Sequence, residues 1–181
     1  MLRRMRRSVS PEALDRFMRE LAAAARSPGK VYFTGGATAL LLGFRNQTID
    51  IDLKLDPEPA GAFEAIAALK DRLELNVKLA SPGDFIPAPP DWRERSRHIA
   101  TYHQVEFLHY DLSLQALAKL ERGHAQDLQD VASLLRGGHV TAVELKQRFA
   151  QLEPGLLRYP AIEPTQFRLK LETFLAKEKT A

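Results

Sequence analysis

The sequence predicts an α/β (α+β) protein: a small mixed β-sheet flanked by helices, followed by a C-terminal helical region. Three observations carry this. Short apolar runs at 31–34, 49–53 and 75–79, each bounded by turn residues, read as strands. Apolar residues at helical spacing fill the stretches between them. From Leu112 onward the pattern is helical alone. The expected division is a core over residues 1–111, with an N-terminal helix, and a helical region over 112–181 packed on that core.

The elements follow in order. Residues 1–9 carry Arg3, Arg4, Arg6 and Arg7 and read as a basic, mobile arm. Ser10-Pro11-Glu12 starts a helix, with a capping hydroxyl and a proline at the first helical position. Leu14, Phe17, Met18, Leu21 and Ala25 form its buried stripe, and Ser27-Pro28-Gly29 ends it. A buried strand follows at 31–34, then Gly35-Gly36 and a short apolar helix from Ala37 to Leu42, closed by Gly43. The second strand runs from Ile49 to Leu53 or Leu55, and a helix spans 63–73. Leu75, Val77 and Leu79 alternate with Asn76 and Lys78 as a third strand. Four prolines between Ser81 and Asp91 mark a long loop. A hairpin over 98–102 and 105–110 turns at His103-Gln104, and helices follow at 112–122, 124–136, 141–153 and 163–178.

Composition narrows the chemistry. The 181 residues contain no cysteine, which excludes disulfides, thiolate metal sites and a cysteine nucleophile. No apolar run approaches the ~20 residues that span a bilayer. No apolar core follows the N-terminal arginines, so a secretory peptide is not expected. A cytoplasmic protein with no membrane partner is the expectation. The net charge of +3 favours an anionic partner such as a nucleotide or RNA. Arg93, Arg95 and Arg97 beside Trp92 read as a solvated loop or as a single-strand RNA contact. His103, His109 and Asp111 alternate near a strand, but lack a fourth ligand for a metal set.

The most informative pattern is Gly35-Gly36 followed by Asp50-Ile51-Asp52-Leu53. Carboxylates at i and i+2 on a strand share one face, roughly 6–7 Å apart. They can reach one divalent cation, or two set about 3.5–4 Å apart. A glycine turn before a helix offers backbone N–H groups to a phosphate. Two unpaired acids near a core are costly, so they require a metal, water or an arginine, with Arg45 the nearest candidate in sequence. Together these features read as a site for a metal-bound nucleoside triphosphate.

The stretch from Phe33 to Leu53, with Gly35, Gly36, Thr38, Arg45, Thr48, Asp50 and Asp52, resembles the signature of the DNA polymerase beta-like nucleotidyltransferase superfamily. Its Arg-x-x-Thr-x-Asp-x-Asp form is most similar to the AbiEii-type toxin nucleotidyltransferases and their uncharacterised bacterial relatives. Lys119, Arg122, Asp127 and Asp130 resemble a Lys-x-x-Arg … Asp-x-x-Asp segment of those relatives. The resemblance implies Asp50 and Asp52 as ligands of Mg²⁺ (or Mn²⁺), and Asp50, Asp52, Lys119 and Asp127 as the catalytic set. It implies nucleotide contacts from Gly35, Gly36, Thr38, Arg45, Thr48, Lys119, Arg122 and Asp130. Lys119 and Arg122 share a helix face and would grip phosphates; Asp127 and Asp130 would orient them or a polar group of the substrate.

One departure stands out. The superfamily places a third carboxylate on the next strand, where this chain has Asn76 and Lys78; Asp84 lies in the loop beyond. Beside a structural or RNA-binding protein with no nucleotide pocket, which the charge and the arginine-rich segment would support, two functions are expected. The first is Mg²⁺-dependent transfer of NMP from an NTP to a hydroxyl of RNA (tRNA as a candidate) or protein, as the toxin of a toxin–antitoxin or phage-defence module. The second is a degenerate nucleotidyltransferase fold that binds nucleotide, RNA or a cognate toxin or antitoxin protein without turnover.

Overall fold

A computed structural model describes residues 7–180. Among them are seven α-helices and five strands. The chain forms two compact units. One comprises Met1–Ser81 with Ser96–His109; the other comprises Pro82–Arg95 with Tyr110–Ala181. The helical unit therefore includes the proline-rich segment that precedes the hairpin, as well as the C-terminal helices.

In the sheet unit, helix α1 (Pro11–Ala24) begins where sequence chemistry places it: the Ser10 hydroxyl accepts the Ala13 N–H at 3.1 Å. Strand β1 (Gly29–Thr34) leads into helix α2 (Gly35–Leu41), then strand β2 (Asp50–Leu55), helix α3 (Ala62–Arg72) and strand β3 (Asn76–Leu79). Strands β4 (Arg97–Tyr102) and β5 (Val105–His109) form the hairpin. The mixed sheet has the order β3-β2-β1-β5-β4. β1 pairs antiparallel with β2 and parallel with β5, and β2 pairs parallel with β3. Val31, Phe33, Ile51, Leu53, Val77 and Phe107 share a core with Leu14, Phe17, Leu21, Ile66 and Leu69 of the helices. Period-2 alternation sends the intervening residues, including Asp50 and Asp52, to the other face of the sheet.

The expected N-terminal arm is partly corrected. Arg3, Arg4 and Arg6 lie outside the described residues. Val9 is fully buried and bridges to Thr48, and Arg7 pairs with Glu74 at 3.0 Å. Burying one valine and pairing its backbone anchors this part of the segment to the sheet unit.

The helical unit contains α4 (Leu112–Arg122), α5 (Ala125–Arg136), α6 (Ala142–Leu152) and α7 (Pro164–Thr180), as the apolar spacing predicts. Short 3-10 turns at Pro82–Asp84 and Pro90–Trp92 punctuate the segment expected as open loop. Leu114, Leu117, Leu120, Leu134, Leu145 and Leu171 are buried, and Phe149 meets Phe167 edge-on at 5.0 Å.

Candidate functional site

Strand β1 ends at Thr34, and Gly35 turns the chain into α2 with φ +60, in the left-handed region. The antiparallel register sets Thr34 opposite Asp52. A Cβ on Gly35 would stand 3.1 Å from Asp52 Oδ2, so the turn is built against that carboxylate. Gly36 has a different partner. A Cβ there would overlap the Thr48 hydroxyl and lie 2.8 Å from Thr48 Cβ and 3.4 Å from Arg45 Nη1. The Arg-x-x-Thr spacing therefore delivers two side chains to the glycine turn. The space beside Gly36, expected to admit a triphosphate, is held by Thr48. The Thr48 hydroxyl donates to the Asp50 carbonyl at 3.3 Å, fixing the entry to β2.

The parallel β2–β3 register sets Asn76 beside Asp50 and Lys78 beside Asp52. Asn76 Nδ2 donates to Asp50 Oδ1, and Lys78 Nζ donates to Asp50 Oδ2 at 2.8 Å. Asp50 keeps 29% of its side-chain surface in solvent and Lys78 keeps 53%. The hydrogen bond to Asp50 raises the Lys78 ammonium above its usual value; partial burial opposes this, and the Asp50 and Asp52 charges add to it. The strand expected to carry a third acid thus presents an amide and a cation beside the two aspartates. Among the described residues, no three Asp, Glu or His side chains group as a metal shell.

Thr38, expected to lend a hydroxyl to the nucleotide, is 2% exposed. Its Oγ1 donates to the Phe33 carbonyl at 3.2 Å and lies 3.2 Å from His109 Nδ1. This ties α2 to the ends of β1 and β5. His103 occupies the hairpin turn at φ +50, and Asp111 caps α4, so the weak histidine–aspartate pattern does not form a cluster.

In the helical unit, Gly123 at φ +71 reverses the chain between α4 and α5. The reversal brings the remaining charged candidates together. Lys119, only 8% exposed, donates to Asp130 at 2.6 Å and stands 3.6 Å from Asp127. Arg122 grips Asp127 with two hydrogen bonds, at 2.6 and 2.7 Å. Burial pushes the Asp127 carboxyl upward, but the Arg122 hydrogen bonds and the Lys119 charge outweigh it and hold the group below the ordinary range. The two cations and two acids neutralise one another.

The arginine-rich segment is also committed. Trp92 is buried, stacks on Tyr110 at 4.5 Å, and carries Arg93 over its ring at 4.5 Å. Arg95 pairs with Asp111 and Glu144. Sequence reading missed Arg148, which is buried between Asp111 at 2.6 Å and Asp91 at 2.8 Å. Its position within an otherwise apolar helix face was the available signal. An open cavity of about 470 Å³, lined by Arg19, Glu20, Ala23, Thr101, Tyr102 and His103, contains none of the expected site residues.

A mixed sheet whose first strand ends in a glycine turn, with a neighbouring strand carrying two acids on one face, is the arrangement expected of a nucleotidyltransferase core. Residues 12–162 match the family model described as nucleotidyltransferase of unknown function (DUF6036), and the chain belongs to that family. Comparison with curated proteins gives no match, and comparison with solved structures gives none. No described helix is long and apolar enough to cross a membrane.

Proposed function

We propose that the sheet unit binds a divalent-metal nucleoside triphosphate and transfers its nucleoside monophosphate to a hydroxyl group. The carrying observation is the closeness of Gly35 to Asp52, on the strand whose register aligns it with Thr34. The donor chemistry suits Mg²⁺, a hard cation that takes one or two carboxylates and completes its shell with phosphate oxygens and water. Asp50 and Asp52 would hold it, and when bound it would neutralise charge on the phosphates. Gly35 brings backbone, with no side chain in the way, to the carboxylate that would face the ligand. Thr48 and Arg45 brace the turn through Gly36. In the reaction, the acceptor oxygen forms a bond to the α-phosphorus, the bond to pyrophosphate breaks, and the hydroxyl proton passes to water. The resemblance to toxin nucleotidyltransferases supports RNA, with tRNA first, or a protein as the acceptor. This reading does not draw on Lys119 and Arg122, whose charges Asp127 and Asp130 already meet.

The test is incubation of the full chain with each labelled NTP, Mg²⁺ or Mn²⁺, and total tRNA or protein. Label should enter acceptor with the natural chain and fall to background with Asp50→Ala/Asp52→Ala. Equal labelling by the double variant would overturn the assignment.

A second reading is favoured by Lys78 and Asn76 standing where the superfamily's third acid belongs. In it the chain binds the nucleotide and does not turn it over. Nucleotide binding by calorimetry with no labelled product over long incubation selects this reading over transfer.

A further inference from the structure

Asp50 carries a resident cation. Both of its carboxylate oxygens accept hydrogen bonds from β3, one from Asn76 and the other from the Lys78 ammonium at 2.8 Å. The register permits this: Asn76 is aligned with Asp50, and Lys78, two residues along and aligned with Asp52, lies on the same face of the sheet. A lysine ammonium is a compact charge on a flexible stem and can leave a carboxylate without disturbing the backbone. More than half of the Lys78 side chain faces solvent, which leaves room for the ammonium to swing away.

We propose that Lys78 is a built-in counter-cation that competes with a divalent ion for Asp50, keeping the metal affinity of the Asp50–Asp52 site low in the absence of nucleotide. The proposal rests on the reading of Asp50 and Asp52 as metal ligands. A divalent ion entering the site must displace the ammonium from Oδ2 and then remain near its positive charge; both effects weaken binding. A triphosphate adds ligand oxygens and negative charge, so ion and nucleotide favour each other's binding.

The probe is Mn²⁺ alone, titrated into the full chain and read from the spin-resonance signal of the free ion. Lys78→Met should bind Mn²⁺ about tenfold more tightly than the natural chain, and Lys78→Gln should do the same. Lys78→Arg, which retains the charge, should keep the natural affinity, and Lys78→Glu should exceed Lys78→Met. Exposure of the side chain makes these variants compatible with folding, and the glutamine variant gives an independent reading of the methionine one. Equal Mn²⁺ affinity in the natural chain, Lys78→Met and Lys78→Gln, with weaker binding in Asp52→Asn, overturns the lysine's role and leaves the metal reading standing. No Mn²⁺ binding by any of these chains overturns both.

Discussion

At Gly36 a single methyl group decides whether the turn can close. It would collide with Thr48, a β-branched side chain whose backbone is bridged to buried Val9. Gly36→Ala is expected to cost about 1–3 kcal/mol, the usual range for overpacking, measured by urea denaturation. A change within about 0.5 kcal/mol, the range of neutral surface substitutions, would mean the site relaxes freely. Asp127 makes a separate prediction through pH. Its folded pKa is depressed, so its ion pairs stabilise above the unfolded value of about 3.9, and that stability is lost as pH falls through the folded value. Asp127→Asn should therefore lower the melting temperature at neutral pH, with the difference from the natural chain shrinking below about pH 4. A difference independent of pH would contradict this. The residue types and the acids expected to orient the two cations were legible in sequence, and which acid meets which cation was not. Spacing places Lys119 and Arg122 on one face, and the left-handed turn at Gly123 then matches Lys119 with Asp130 and Arg122 with Asp127.

Helix α4 shows how an element is held. Asp111 accepts the N–H groups of Ser113 and Leu114 at its N-terminus while its other oxygen receives Arg148 at 2.6 Å. One carboxylate thus joins α4 to α6, and Asp91 extends the network to the proline-rich segment. Asp111→Ala removes the cap and the buried one of the two carboxylates that meet Arg148, leaving its guanidinium with only the half-exposed Asp91 as counter-charge, with an expected loss of about 3–5 kcal/mol by chemical denaturation. A loss under about 1 kcal/mol would show that the guanidinium finds other partners. Asp111→Ala with Arg148→Met should recover part of the loss, because no buried charge then remains unpaired. Strand and helix positions followed from alternation and apolar spacing, and the Ser10 cap from its local chemistry. The pairing of β2 with β3 did not, because strand order depends on contacts distant in sequence. That pairing is what sets Lys78 beside Asp52, where only its absence of a carboxyl group was readable from sequence.

Across the whole molecule, the fold class was legible because binary patterning differs between the mixed first half and the helical second half. The membership of residues 82–95 in the helical unit was not: the Arg148–Asp91 pair spans 57 positions, and a run of prolines gives no sign of such a partner. Asp52 and the glycine turn, by contrast, lie within twenty residues, so their meeting across β1 and β2 needed only one antiparallel pairing. The functional account depends on that local arrangement. Its most direct test is calorimetric titration of each of the four NTPs, with and without Mg²⁺, into the full chain and into Asp50→Asn/Asp52→Asn, both shown to be folded by circular dichroism. The account predicts Mg²⁺-dependent binding of at least one NTP to the natural chain, weakened at least about tenfold in the double variant. Identical Kd values for the two chains, or no binding to the natural chain, would contradict it.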